Sequence, residues 1–140
     1  MTGVQTCALP IYPDSNYAMA NRTLLSHLEL RPEQVHRMRG ELTPAQAALA
    51  YEQELKSAFS LVDEEFPRFG LVMLGLGDNR HTLSLFPGQQ AAIEETRRLV
   101  VADEVEATPR PRVTFTPPVD RKSTRLNSSH LKLSRMPSSA

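Results

Sequence analysis

The chain has no tryptophan, a single cysteine, Cys7, and no apolar run approaching the length of a membrane span. Each shortage removes a class of answer. One cysteine cannot build an internal disulfide framework or a thiolate zinc site, and its scarcity points to a reducing compartment, most simply the cytoplasm. Nucleotide signatures are missing as well. There is no Gly-Lys-Ser/Thr of a P-loop, and Gly75-x-Gly77 is followed by arginine at position 80, where a dinucleotide fingerprint needs its third glycine. No Gly-x-Ser-x-Gly elbow marks a serine hydrolase. His27, His36, His81 and His130 show no metal-ligand spacing, so no metal is implied.

What is present fits one domain at most. A chain of 140 residues with 40% apolar content can bury a single core, and its eleven prolines predict long irregular segments. The formal net charge of zero hides an asymmetry. Residues 121–140 hold five bases and no acid, leaving residues 1–120 with 11 bases against 16 acids, a net of −5. A basic, serine-rich tail raises a nucleic-acid reading through counterion release, but this one lacks aromatic stacking groups and any helical or strand period. It reads as disordered, and no nucleic-acid or membrane partner is expected.

The chain is organised around residues 69–88, FGLVMLGLGDNRHTLSLFPG. Leu71-Val72-Met73-Leu74 is a continuous apolar run bounded by glycines, the pattern of a strand covered on both faces in an α/β sheet. It turns abruptly polar at Asp78, Asn79, Arg80 and His81, and ligands in such sheets bind beyond the carboxyl ends of the strands. The glycines there would let the backbone approach a ligand closely.

Around this strand the period alternates between helix and strand. Pro13-Asp14-Ser15-Asn16 supplies a turn and an N-cap, and Tyr17, Leu24, Leu25 and Leu28 fall on one helical face until Arg31-Pro32. Val35-His36-Arg37-Met38 predicts a short strand. Thr43, Pro44 and Gln46 form a capping box that starts a second helix, with Ala47, Tyr51, Leu55, Ala58 and Val62 facing the sheet and Pro67 ending it. Its acids, Glu52, Glu54, Asp63, Glu64 and Glu65, read as solvated surface. Gln89 to Arg98 predicts a short helix or turn with Glu94 and Arg98 spaced as an i,i+4 pair; Leu99-Val100-Val101-Ala102 and Val113-Thr114-Phe115-Thr116 are further strands. The order is that of an α/β, doubly wound, mainly parallel sheet with flanking helices, cut short.

Four segments resemble the 6-phosphogluconolactonases. Gly75-Leu76-Gly77 followed by His81-Thr82-Leu83-Ser84-Leu85-Phe86-Pro87 matches that family's glycine-rich strand end and its histidine turn. Pro13-Asp14-Ser15-Asn16-Tyr17 resembles its first helix start, and His36-Arg37-x-x-Gly40-Glu41 and Arg112-x-Thr114-x-Thr116 follow its pattern, the last leading in the family into a helix that this chain is not expected to reach. Where the family has Asp-Gly before the histidine, this chain has Asn79-Arg80, with Asp78 one place early. The resemblance runs over residues 12–119, the middle of the family's domain, and an incomplete sheet would leave the apolar faces of Leu71 to Leu76 uncovered. Residues 1–11 and 120–140 instead look like translated adapter sequence, and are expected to lie outside the natural fold.

The resemblance implies hydrolysis of 6-phospho-D-glucono-1,5-lactone to 6-phosphogluconate in the oxidative pentose phosphate pathway, with no cofactor, in a cytoplasmic enzyme that is a monomer when complete. Alone, a histidine in a polar turn is an ordinary surface residue. Within this motif His81 is the general base, since an imidazole with an ordinary pKa of about 6.5 can both accept and return a proton. Asn79 and Asp78 are candidates to orient it. Ser15, Asn16, Gly75, Gly77, Thr82 and Arg112 are candidates for holding the sugar phosphate, arginine because it pairs bidentately with phosphate; the alternative for Arg112 is a solvated strand end. Two other readings stay open: a glucosamine-6-phosphate deaminase-like isomerase, in which Ile-Ala-Phe-Asn-Glu-Pro would follow the histidine, and a non-catalytic sugar-phosphate-binding remnant.

Overall fold

The computed structural model describes residues 2–4, 15–75, 82–86, 90–103, 112–123 and 125–127. Within them the order is β1 (Thr2–Val4), α1 (Asn16–Thr23), β2 (Val35–Arg37), α2 (Pro44–Phe59), β3 (Val72–Leu74), α3 (Gln90–Ile93), β4 (Val100–Asp103), β5 (Arg112–Phe115), α4 (Pro117–Arg121) and β6 (Arg125–Asn127). Strand β1 pairs with β2 and β3 with β6, both in parallel, whereas β4 and β5 are antiparallel. Helices connecting parallel strands give the expected α/β class. Two of these strands, β1 and β6, lie in the terminal stretches that the sequence reading set aside, and Arg125–Asn127 is ordered as a strand within the tail read as disordered.

Helix α2 organises the core. The Gln46 amide donates to Thr43 Oγ1, and Gln46 Oε1 accepts from the Thr43 amide and hydroxyl, which closes the capping box. From there the helix lays Ala47, Ala48, Tyr51 and Leu55 against β4 and β5. Phe115 of β5 stacks 5.9 Å from the Tyr51 ring and 5.5 Å from Phe69, and Phe59 meets Phe69 edge-on at 5.1 Å. Such pairs add about 1 kcal/mol each beyond the area they bury. The Tyr51 hydroxyl is buried and has no hydrogen-bond partner among the described residues. Burial raises its pKa, because the phenolate would lose its hydration. Tyr51→Phe removes that unsatisfied group and keeps the ring, so it is expected to raise stability by about 1 kcal/mol in a urea titration; a loss of stability would mean the hydroxyl is satisfied after all.

Several sequence expectations are corrected. Helix α2 stops at Phe59 rather than near Pro67: Ser60 takes the left-handed conformation (φ 52°) and the Leu61 amide donates back to Lys56 O at 2.9 Å, a Schellman-type closure. Val62, expected on the buried stripe, is 66% exposed and Ala58 is exposed too. Helix α1 ends at Thr23, whose hydroxyl donates to Met19 O, and a 3-10 turn at Leu25–His27 follows. Only Leu25 of the expected leucine stripe is buried, while Leu24 and Leu28 are exposed. His27 Nε2 donates to Arg22 O, which explains that histidine as a helix-end ligand. The helix that the chain was not expected to reach is present as α4, begun by Pro117 and Pro118, which suit the first turn because no amide is needed there.

The largest correction concerns Glu52, expected on the solvated face but only 7% exposed. Ala48, Glu52 and Leu55 are spaced by four and three residues, so they share one stripe of the helix. Its Oε2 accepts from Arg98 Nε at 2.9 Å, the Leu99 amide at 3.1 Å and the Val100 amide at 3.4 Å. Arg98 is thereby drawn to Glu52 rather than to Glu94, which accepts instead from Gln90 Nε2. One carboxylate thus fastens α2 to the first residues of β4.

Strand β3 is less covered than its apolar run implies. Leu74 is buried, but Leu71 is 57% and Met73 62% exposed. The expectation of a strand enclosed on both faces is not met, while the expectation of uncovered apolar faces at Leu71 and Met73 is. Among the described residues, no helix is long and apolar enough to cross a membrane.

Candidate active site

Strand β3 delivers the chain to Gly75, exposed just past its carboxyl end. Gly77, Asp78, Asn79, Arg80 and His81 lie outside the described residues, and the structure resumes at Thr82. There the chain makes a tight turn: the Leu85 amide donates to Thr82 O at 3.0 Å, Thr82 and Leu85 form an antiparallel bridge, and Leu83 holds φ at 56°. A positive φ at a leucine is rare and costs on the order of 1–3 kcal/mol, so the surroundings must enforce it. They do so from two sides. Leu83 packs against the core, and the buried Ser84 amide donates to Thr114 Oγ1 at 3.1 Å.

Alternation along β5 creates the seat for this turn. Val113 and Phe115 are buried in the hydrophobic core, while Arg112 and Thr114 belong to the opposite face. Thr114 is completely buried and its hydroxyl donates to Phe115 O at 3.1 Å. Arg112 is half-buried, with its guanidinium carbon 5.7 Å from the centroid of the buried Phe86 ring. Arg112 Nε is itself buried and has no hydrogen-bond partner among the described residues. A cation held against an aromatic face with a donor left over is equipped to take an anionic oxygen. The turn from Thr82 to Phe86 is therefore seated on β5 through the Ser84 amide on Thr114 and the Phe86 ring under Arg112. Sequence reasoning named Thr82 and Arg112 but passed over Thr114, whose spacing of two from Arg112 placed it on the same face.

Ser15 and Asn16 lie at the start of α1. Ser15 is buried as the N-cap of α1, its Oγ accepting from the Ala18 amide at 3.0 Å, and Asn16 is the exposed first residue of the helix. The Arg37 guanidinium stands 5.6 Å from the Tyr17 ring, which places this helix start near the carboxyl end of β2. Ser15 Oγ therefore acts first as a cap.

Beside β2 lies a polar cleft lined by Val35, Arg37, Arg39, Glu41 and Glu54. Arg37 donates bidentately to Glu41 at 2.8 and 3.0 Å, and His36 Nδ1 lies 2.7 Å from Glu54 Oε1. Hydrogen bonding from Arg37 draws the Glu41 pKa down to about 2. A carboxylate whose folded pKa is depressed stabilises the fold fully above its unfolded value and loses that contribution as pH falls toward the folded one. The window here is from about pH 4.5 down to about 2. The pair is substantially exposed, so the effect is modest, at most about 1 kcal/mol. Glu41→Gln is expected to flatten the acid limb of a stability–pH curve across that window, lowering stability above it by at most about 1 kcal/mol and leaving stability below it little changed.

These residues have clear relatives. The model of the glucosamine-6-phosphate isomerases/6-phosphogluconolactonase family matches residues 7–127. The chain belongs to that family. It is 37% identical over 110 residues to a 6-phosphogluconolactonase of Nostoc sp., covering 78% of this chain and 45% of the relative. A 6-phosphogluconolactonase of Mycobacterium tuberculosis is 37% identical over 117 residues, covering 79% of this chain and 46% of the relative. Among solved structures, 6-phosphogluconolactonase from Trypanosoma cruzi superposes with a TM-score of 0.73 at 26% identity, over 91% of this chain and 54% of that one. The chain thus spans about half the length of the family members it matches. Their shared α/β fold agrees with the architecture described above.

Proposed function

We propose that the protein acts as a 6-phosphogluconolactonase, hydrolysing 6-phospho-D-glucono-1,5-lactone to 6-phosphogluconate, with His81 as general base. The observation that carries this reading is the seating of the turn that follows His81 beside Arg112, in a chain whose relatives bear that name. His81 removes a proton from water as the oxygen adds to the lactone carbonyl carbon. The resulting tetrahedral centre collapses by breaking its bond to the ring oxygen, which receives the proton from the imidazolium. One carboxylic acid and one hydroxyl result, and at neutral pH the acid releases a proton to solvent. Asn79 or Asp78 would orient the imidazole, Asp78 being able to stabilise its charged form. Arg112 and Thr82 would hold substrate near the turn, with Gly75 and Gly77 leaving room at the strand end and Ser15 and Asn16 lining the sugar-phosphate side. Neither a metal nor an organic cofactor has a step in this scheme. The same reading places the protein in the cytoplasm, as a monomer.

Proton release after addition of the lactone, above the spontaneous rate, tests the proposal. Ammonia release from glucosamine 6-phosphate without lactone turnover would replace it with the deaminase reading, and binding of 6-phosphogluconate with no turnover would replace it with a binding role.

A further inference from the structure

We infer that Thr114 is a positioning residue for the turn from Thr82 to Leu85 that follows His81 in sequence, acting through the Ser84 amide. The turn is held in a conformation that its own sequence does not favour, because Leu83 at φ 56° pays a steric penalty that glycine would avoid. A strained backbone persists only where its surroundings over-determine it. Here a bond from outside the turn contributes to that enforcement, Ser84 N–H to Thr114 Oγ1, between two residues with no solvent exposure. The threonine hydroxyl is well suited to the task. Its single hydrogen is given to Phe115 O, which leaves its lone pairs to receive the Ser84 amide. Beyond Thr114 the strand is itself pinned, since the Thr116 amide donates to Leu99 O and the Thr116 hydroxyl to Arg98 O at 2.7 Å. Thr114 therefore offers a fixed acceptor on a fixed strand, two residues from Arg112 on the same face and opposite a turn that starts one residue after His81.

Thr114→Val keeps the shape of the side chain and removes the hydroxyl, both the acceptor for the Ser84 amide and the donor to Phe115 O, while Thr114→Ser retains both. In the full chain, T114V is expected to speed hydrogen exchange at the Ser84 amide, to shift the His81 ring signals in an NMR pH titration, and to lower kcat for the lactone by about 100-fold, the scale of a misplacement near 1 Å, with KM little changed. T114S is expected to restore all three. The kinetic arm rests on the lactonase reading; the His81 titration does not. If the unsubstituted chain turns over no lactone, that reading fails and the inference is judged on the titration alone. An unchanged His81 titration in T114V overturns it, as does an unchanged kcat where the unsubstituted chain is active. Should T114V fail to fold by circular dichroism, Thr114→Cys, with its weak acceptor, takes its place in the same comparison.

Discussion

His81→Ala is expected to lower kcat for lactone hydrolysis by about 10³-fold, within the range that a positioned general base contributes, with a much smaller change in KM. The split follows from what an imidazole does in this scheme. It would act on the attacking water and then on the departing ring oxygen, where charge develops in the transition state, whereas Arg112, Ser15 and Asn16 in their proposed roles would bear on groups that substrate already presents when it binds. Arg112→Ala is the natural control, since a phosphate contact should appear mainly in KM. A His81→Ala protein that keeps more than a tenth of the original kcat would remove His81 from the role of base and leave Asp78 as the next candidate. The pH–rate profile adds a second check, because a base near neutrality gives an ascending limb that the alanine variant must lose.

Glu52→Ala is the substitution expected to damage the fold most, by about 3 kcal/mol in a urea titration. Truncation leaves the Leu99 and Val100 amides without their acceptor at a buried position and takes from the exposed Arg98 its Nε partner, and orphaned buried donors cost more than the bonds they replace contributed. Such a loss is a large share of the stability of a small domain. Glu52→Gln should fall between the two, since one amide oxygen can still accept while its NH₂ faces donors. The effect should not stay local: β4 begins at these residues, and Thr116 bonds the carbonyls of Arg98 and Leu99. A change below about 1 kcal/mol for Glu52→Ala would show that water takes over those donors, and that the clasp between α2 and β4 is held by apolar packing alone.

Much of this architecture was legible from residue order. The capping box at Thr43 and the strands near Val35, Val100 and Val113 stand where local chemistry puts them, because caps and alternation act within a few residues. What escaped depended on partners distant in sequence. Glu52 looks like any helix-surface acid until Arg98 and the β4 amides arrive 46 to 48 residues later. Thr114 looks like a β-prone filler until Ser84, 30 residues earlier, donates to it. The end of α2 was misplaced for a different reason. Ser60 accepts a left-handed conformation that is usually given to glycine or asparagine, so the stop carried no recognisable letter. As for the candidate site, Thr82 and Arg112 were named through type and motif, and Ser15, named too, is a helix cap.

Leu83 sets two opposing demands on one position. Its backbone angle would be met most easily by glycine, asparagine or aspartate, while its contact with the core asks for a large apolar side chain. Valine, isoleucine and threonine answer neither, since branching at Cβ worsens the clash at positive φ. The vocabulary open to position 83 is accordingly narrow: an unbranched apolar residue that tolerates the angle, or a small one that gives up the packing.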